Sequence, residues 1–447
     1  MKRKKSLLGM GLLTVALLTG CNHIEEKPHV GNGTIQEDPA VSEMPKAAQS
    51  TKKENEEYKM QATNLTEQNQ EEVRIDYFIE GYDLAQKFSY ELFAQNMEKD
   101  NPVLSPVSAY LALALAGAGA EGETQKEFRT VLGDLEGIPN DLMTNLPREL
   151  EGMKLTLANS AWVDERLTLN QEWLAWADSV YRSEVYQTRL ATEAAMEDMN
   201  QWIERNTNGL IPKLLAQPLE EETRLALFNT IYFKGDWKSK FSEEATRELD
   251  FTLGDGTVEQ VEMMQQFKEN LRYVRNEEAE GVILPYKDNS IAFVALKPVG
   301  EGSVREMYEQ LSYEDISGFL QQKETTLCNL RLPKFEVEFD KELNDSLKAM
   351  GLQQAFEEGV ADFDGLGTLD TGEGMFISLV RQKAKVIVDE NGTEAAAVTA
   401  IMVKSESAMK EQEPPVNIYF DEPFLYMIMD MEREVPLFVG IMDNPNA

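Results

Sequence analysis

The chain has 447 residues, and 42% of them are hydrophobic, which is enough to fill a sizeable core. Its formal net charge of −36 repels phosphate backbones and argues against a nucleic-acid partner. The two histidines, His23 and His29, lie near the N-terminus, so the body has no residue for a Ser-His-Asp or Cys-His site or a histidine-bound metal. We therefore predict neither metal nor cofactor.

Residues 1–20 have the pattern of a secretory signal peptide. Basic residues 2–5 precede an apolar run at residues 7–18, which is shorter than the roughly 20 residues of a membrane span. The run ends in Leu18-Thr19-Gly20-Cys21, which resembles the bacterial lipobox. This resemblance implies cleavage before Cys21, lipidation of its sulfur, and anchoring of a secreted protein on the outer face of a bacterial membrane. The alternative is an ordinary secretory signal with an incidental cysteine.

Residues 21–73 are expected to form a disordered polar tether behind the lipidated cysteine. From residue 22 onward they are rich in Glu, Lys, Gln, Asn and Thr and contain no Phe or Trp. Such a segment cannot bury enough apolar surface to offset its conformational entropy. Its ends would lie roughly 40 Å apart, which holds a folded domain of residues 74–447 away from the membrane.

Helices are predicted in the first half of that domain. Apolar residues recur every three or four positions over residues 75–92. Ser105-Pro106 suits the start of a helix over residues 107–120, which is apolar nearly all round and should be buried. A further helix is expected over residues 193–205, ending near Asn208-Gly209.

Strands are predicted in the second half, where β-branched and aromatic residues are frequent. The candidates are residues 225–233, 290–296, 326–339, 384–389, 416–420, 424–429 and 437–442. Because helices precede strands without regular alternation, the pattern predicts an α+β body. Cys328 is the lone cysteine of this body, so no internal disulfide can form, and we expect it to be a small buried apolar residue.

Residues 389–404 combine a strand pattern with a position next to a loop. Alternate residues from Thr393 to Val403 are small or apolar, and the opposite face carries the charges of Glu394 and Lys404. Residues 405–415 are polar, charged and proline-ended, which is typical of an exposed loop. The pattern alone fits a plain edge strand with a surface loop, or a segment with two alternative locations.

Several motifs resemble those of the serpin family. The segment Glu390-Asn391-Gly392-Thr393-Glu394-Ala395-Ala396-Ala397 resembles the hinge of inhibitory serpins, and the likeness extends over residues 75–446. Other similar motifs are Leu104–Ser108, Asn229–Trp237, Leu332–Phe335, Pro423-Phe424, Pro436–Gly440 and Asn444-Pro445.

The resemblance implies the serpin fold and mechanism. The expected fold is α+β, with a large central, mostly antiparallel sheet, additional sheets, about eight or nine helices and an exposed reactive loop. A protease attacks the loop and is trapped covalently as an acyl-enzyme when the cleaved loop inserts into the main sheet. The protein would be a monomer and not an enzyme. Its partner would be a serine protease, subtilisin-like or glutamate-specific, or a cysteine protease.

The resemblance also assigns roles to single residues. Ser105, Ser108, Asn229 and Gln382 should form a polar cluster that controls sheet opening, and Trp237 should lie where the loop first enters. Ordinary core packing or helix capping is the alternative for each. Many animal serpins have histidine where this chain has Gln382, which hydrogen-bonds but cannot change charge.

The reactive bond is predicted by counting. The attacked residue of inhibitory serpins is usually about the seventeenth of this segment, which implies the bond between Glu406 and Ser407 when Glu390 is the first. The alternatives nearby are Lys404 for trypsin-like enzymes, and Met402 and Met409 for subtilisin-like ones.

Two other functions compete with inhibition. A non-inhibitory serpin would act as a surface binding or chaperone-like module, and its mark would be bulky, charged or proline residues in the hinge, where only Val398 is slightly large. A surface hydrolase would need paired carboxylates, and no such motif at a recognisable spacing stands out.

Overall fold

The computed structural model describes residues 82–98, 100–369, 371–372, 374–393 and 414–447, all within one compact unit. The predictions for residues 1–73, including Cys21, lie outside the described residues. So do those for Glu394, Ala395, Ala396, Ala397, Met402, Lys404, Glu406, Ser407 and Met409. Within the described ranges, no helix is long and apolar enough to cross a membrane. The same ranges hold no cluster of three metal-ligating side chains.

The described part of the chain has nine α-helices. They are residues 82–94 (α1), Pro106–Gly117 (α2), Gly122–Leu132 (α3), Gly137–Asn145 (α4), Gln171–Ser179 (α5), Glu193–Asn206 (α6), Val304–Gln310 (α7), Tyr313–Gln321 (α8) and Asn344–Ala349 (α9). The predicted burial of α2 is confirmed. Helix α2 ends three residues before the predicted limit, because residues 118–120 form a tight turn.

The main sheet has seven strands, numbered in chain order over the whole protein. They are Arg148–Leu150 (β2), Met153–Asp164 (β3), Ser183–Thr188 (β5), Leu225–Asp236 (β6), Phe335–Glu342 (β12), Arg381–Val388 (β14) and Gly392–Thr393 (β15). Their order is β12-β14-β15-β6-β3-β2, and β5 pairs with β3. Only the β3–β5 pair is parallel, so the expected mostly antiparallel central sheet is confirmed.

A second sheet has nine strands. They are Val103–Leu104 (β1), Arg247–Thr252 (β7), Val258–Arg275 (β8), Ala279–Pro285 (β9), Ile291–Pro298 (β10), Thr326–Pro333 (β11), Val416–Tyr419 (β16), Phe424–Asp430 (β17) and Val435–Met442 (β18). Their order is β1-β18-β17-β10-β9-β8-β11-β16, with β7 on β8. Leu167–Leu169 (β4) and Gly367–Leu369 (β13) form a small separate pair.

The α+β prediction is confirmed, but two details were wrong. The predicted strand 326–339 divides at Lys334 into β11 and β12, which belong to different sheets. The backbone turns there because Pro333 cannot donate to a ladder and the Lys334 amide bonds to Glu262 instead. Strands are also not confined to the second half, since β3 is a central strand of 12 residues.

Both faces of β6 are covered. Leu227 and Ile231 pack against the main core, which α2 shares, whereas Phe228 packs against a separate cluster that includes Trp162 and Trp202. Alternate residues of a strand point to opposite faces, so β6 and its neighbour β3 lie between two apolar layers. The central strands of the main sheet therefore lie in the interior of the protein.

Candidate functional site

The main sheet has a slot between β6 and β14. On its outer side β14 pairs with β12 along its whole length, but on its inner side only Val388 is paired, with Thr393. Similarly, β6 pairs with β3 from Leu225 to Gly235, and its other edge meets only β15. Among the described residues, two residues of β15 thus bridge strands that lie about 10 Å apart, the spacing of two ladder steps.

A cavity of about 60 Å³ lies beside the slot. It is lined by α2, β6, β14 and the segment after α6, and apolar side chains such as Leu227, Ile231 and Ala384 form much of its wall. Leu227 and Ile231 line this cavity and are only partly buried, although they pack against the main core. The slot therefore exposes core-facing side chains that a further strand would cover.

The predicted sheet-opening residues line this cavity in two hydrogen-bonded pairs. The Gln382 side chain spans Ser105, accepting from its backbone N at 2.8 Å and donating to its carbonyl O at 2.8 Å. Ser108 Oγ donates to the Asn229 carbonyl O at 3.2 Å, and Asn229 Nδ2 donates to Asn159 Oδ1 at 2.6 Å.

Three residues that line the cavity each have a buried polar atom without a hydrogen-bond partner in the described part of the chain. These atoms are Ser105 Oγ, Asn229 Oδ1 and Thr230 Oγ1. Ser105 precedes the first residue of α2, but its side chain makes no capping bond. A buried acceptor or hydroxyl without a partner costs about 1–3 kcal/mol, so these atoms favour any arrangement that supplies one.

Gly392 and Thr393 of the predicted hinge form β15 in the main sheet. Thr393 is 3% exposed, and its Oγ1 lies 2.5 Å from the hydroxyl of Tyr286. A Cβ on Gly392 would lie 1.9 Å from the Gly235 carbonyl O, so only glycine fits this approach of the two backbones. The ring of Trp237 stacks on Tyr286 at 4.8 Å.

Trp237 lies against the turn that precedes β15. Its backbone N donates to the Asn391 carbonyl O at 2.8 Å, and its Nε1 donates to the Asp389 carbonyl O at 2.8 Å. The carboxylate of Asp389 accepts from the backbone N of Asn391 and of Gly392. Burial raises the pKa of Asp389 despite these bonds. Trp237 therefore holds the turn at Asp389 and at Asn391.

Glu390 ties the same turn to two other segments. Its carboxylate accepts from Thr246 Oγ1 at 2.8 Å and lies 3.4 Å from Lys334 Nζ. Burial raises the pKa of Glu390, but the hydrogen bond from Thr246 and the charge of Lys334 outweigh it and hold the pKa below its ordinary value. Lys334 belongs to the motif Leu332–Phe335, but only the fold reveals that it pairs with Glu390.

Asn159 and Tyr286 are site residues that sequence reasoning missed. Asn159 contacts Asn229 across the β3–β6 pair, and the Tyr286 side chain contacts Thr393 from the segment just after β9. Both contacts join segments that are distant in sequence, so no local pattern marks them. Cys328 is fully buried, as predicted, and burial raises its pKa to about 11, which keeps it a thiol at neutral pH.

Comparison with known proteins gives one consistent result. The family model for the serpin (serine protease inhibitor) family matches residues 83–445. The uncharacterized serpin-like protein TK1782 of Thermococcus kodakarensis is 34% identical over 374 residues, which cover 80% of this chain and 84% of the relative.

Two solved structures of the thermophilic serpin tengpin are similar to this chain. Its native state matches with a TM-score of 0.75 and 30% identity, covering 85% of this chain and 95% of tengpin. Its latent state matches with a TM-score of 0.69 and 32% identity, covering 81% and 96%.

Proposed function

The chain belongs to the serpin family, and we propose that it inhibits a serine-type endopeptidase as a suicide substrate. Members of this family are in general protease inhibitors and not enzymes. In this proposal the protease cleaves the loop between residues 393 and 414, and the cleaved segment inserts into the slot while the acyl-enzyme is still intact. The observation that carries the proposal is the slot itself, which β15 has begun to fill.

The slot offers hydrogen bonds along both of its edges. β15 is antiparallel to β6 and to β14, and it continues directly into residue 394. An incoming strand would therefore meet backbone donors and acceptors on both sides. Each ladder bond contributes about 1 kcal/mol net, so a dozen residues with their apolar burial would gain on the order of 10 kcal/mol.

The register of β15 supports the same proposal. Thr393 lies opposite Gly235 on β6 and Val388 on β14. Continued for six residues, this register would bring Thr399 opposite both Asn229 and Gln382. Its hydroxyl would then be the nearest donor for the unpartnered Asn229 Oδ1. Residues 395 and 397, both alanine, would fill the inward positions before it.

The proposal is tested by incubating the full chain with subtilisin-like, glutamate-specific, trypsin-like and cysteine proteases and running denaturing gels. We expect a covalent band at the summed mass with at least one enzyme, and none with the same enzyme lacking its nucleophile. Intact, active protease in every lane would instead indicate the binding or chaperone-like module, and turnover of a glycan or ester would indicate the hydrolase.

The bond that is cut is proposed to be Glu406–Ser407. Mass spectrometry of the fragment released from the complex identifies it, and cleavage after Lys404, Met402 or Met409 would reassign it. Cleavage in the loop should also raise the melting temperature, because the freed strand fills the slot. Equal melting temperatures for cut and uncut chains would remove the physical basis of the mechanism.

We further propose that Cys21 carries the lipid that anchors the protein outside a bacterial cell. The basis is the sequence of residues 1–21 alone. Cells expressing the full chain should hold it in the detergent phase, whereas Cys21→Ala should leave it in the aqueous phase. Equal partition of both forms would favour an ordinary secretory signal.

A further inference from the structure

Phe267 is the most exposed aromatic side chain in the described part of the protein. It is 53% exposed, whereas the next, Trp176, is 37% exposed. Single apolar residues on a surface are common, so exposure alone carries no conclusion. Phe267 differs from such residues in its position in the sheet and in the hydrogen bonds that hold its backbone in place.

Phe267 and Lys268 form a bulge in β8. The pairing with β11 shifts between Cys328 and Leu330, so these two residues oppose Asn329 alone. Lys268 has a φ of +55°, a left-handed conformation that is unfavourable for a residue with a Cβ. The bulge turns the Phe267 side chain outward instead of into the core.

A chain of hydrogen bonds fixes the bulge to the next two strands. The Lys268 backbone N donates to Asn329 Oδ1 at 3.0 Å, and Asn329 Nδ2 donates to Asn417 Oδ1 at 2.8 Å. Asn417 belongs to β16, which is the first strand after the reactive loop. Phe267 is thereby held in a defined place, about 10 Å across the sheet from Asn417, which lies three residues after the described chain resumes at Pro414.

A protease that holds the loop must come close to this place. From the proposed bond to Asn417 the chain can extend at most about 35 Å. A protease domain of about 250 residues is roughly 45 Å across, so a protease bound at the proposed bond extends over the surface around Phe267.

We propose that Phe267, with Lys268 beside it, is a secondary contact for the attacking protease. The partner surface would be an apolar depression rimmed by carboxylate or carbonyl groups within reach of the Lys268 amine. The chain has a net charge of −36, so its acidic regions would repel an acidic surface on a protease. This patch of phenyl, amide and ammonium groups is suited to bind such a surface. The inference rests on the proposed inhibition and concerns its rate and specificity.

The test uses the full chain and a protease that forms the covalent complex. The second-order association rate is measured for wild type, Phe267→Ser and Phe267→Leu. Val258→Ser is the matched control, because Val258 lies on the same strand and is 54% exposed. Phe267→Ser should slow association about tenfold, Phe267→Leu should retain most of the rate, and Val258→Ser should not change it. Melting temperature and the fraction of attacked inhibitor that traps protease should stay at wild-type values, since insertion follows docking.

Three results would overturn the inference while leaving inhibition in place. They are a wild-type rate for Phe267→Ser, an equal loss for Val258→Ser, and a shift from dimer to monomer in Phe267→Ser, which would make the patch a contact between two copies. If wild type traps no protease, the proposed function fails and the inference falls with it.

Discussion

If the chain inhibits as proposed, replacing Thr393 by arginine should convert it from an inhibitor into a substrate. Thr393 is 3% exposed and contacts the hydroxyl of the buried Tyr286, so a guanidinium there would be buried without a counter-charge. Arginine should therefore keep residue 393 out of the slot before cleavage, and insertion would then have to bury it. If the cost is about 3 kcal/mol, insertion slows roughly 150-fold. Where insertion outpaces deacylation about tenfold in wild type, the trapped fraction would fall from about 90% to below about 10%.

The assay titrates protease with inhibitor and separates trapped from cleaved chains on a denaturing gel. Thr393→Ser, which keeps the hydroxyl, is the control and should trap nearly as well as wild type. The attack on the loop precedes insertion, so the rate of loop cleavage should be unchanged in Thr393→Arg. A Thr393→Arg chain that traps protease at the wild-type yield would refute the role of β15 as the leading end of the inserting strand.

Three further predictions concern the slot and the turn before it. Gln382→Ala leaves the Ser105 backbone N–H without a partner and leaves the Ser105 carbonyl with only its bond from the Ala109 N–H. It should lower the free energy of unfolding by about 2 kcal/mol in urea titration, whereas Gln353→Ala on the surface should not, and equal midpoints would contradict this. Glu390→Gln should lower the melting temperature at pH 7. Because the pKa of Glu390 is held below its ordinary value, the stabilisation is present above that value and is lost as the pH falls through the lowered pKa, so a difference that persists fully at pH 2 would contradict this origin. The insertion rate should change less than about twofold between pH 6 and 8, since residues 74–447 contain no histidine, and a several-fold change would show that another group titrates in the slot.

Local sequence patterns predicted the helices whose burial follows one simple rule, either one buried face or burial all round. The period of α6 and the apolar run of α2 each match the helix observed, since one helix face or the whole helix is buried. Strand β3 was missed because both of its faces are covered and its sequence mixes apolar residues with Thr156, Asn159 and Ser160. Short α7 and α8 were missed although the capping boxes of Ser303 and Ser312 mark their starts.

The candidate site was accessible from sequence only through family resemblance. The resemblance named Gln382 and Ser105 as one cluster, and the structure places the Gln382 amide on both backbone groups of Ser105. Tyr286 and Asn159 could not be predicted, because tertiary contacts bring them to the site from distant segments without a motif. The slot follows from the order of strands in the sheet, which no local pattern specifies.

The stacking of Trp237 on Tyr286 gives the protein a built-in optical reporter for the proposed loop insertion. The indole N–H donates to the carbonyl of Asp389, one residue before Glu390, and its ring lies 5.6 Å from Phe293 in an edge-on contact. Indole emission responds to the hydrogen bond and polarity at this nitrogen. If the proposed insertion moves this turn, the emission wavelength of Trp237 should shift, and a stopped-flow fluorimeter would time the event without an attached dye.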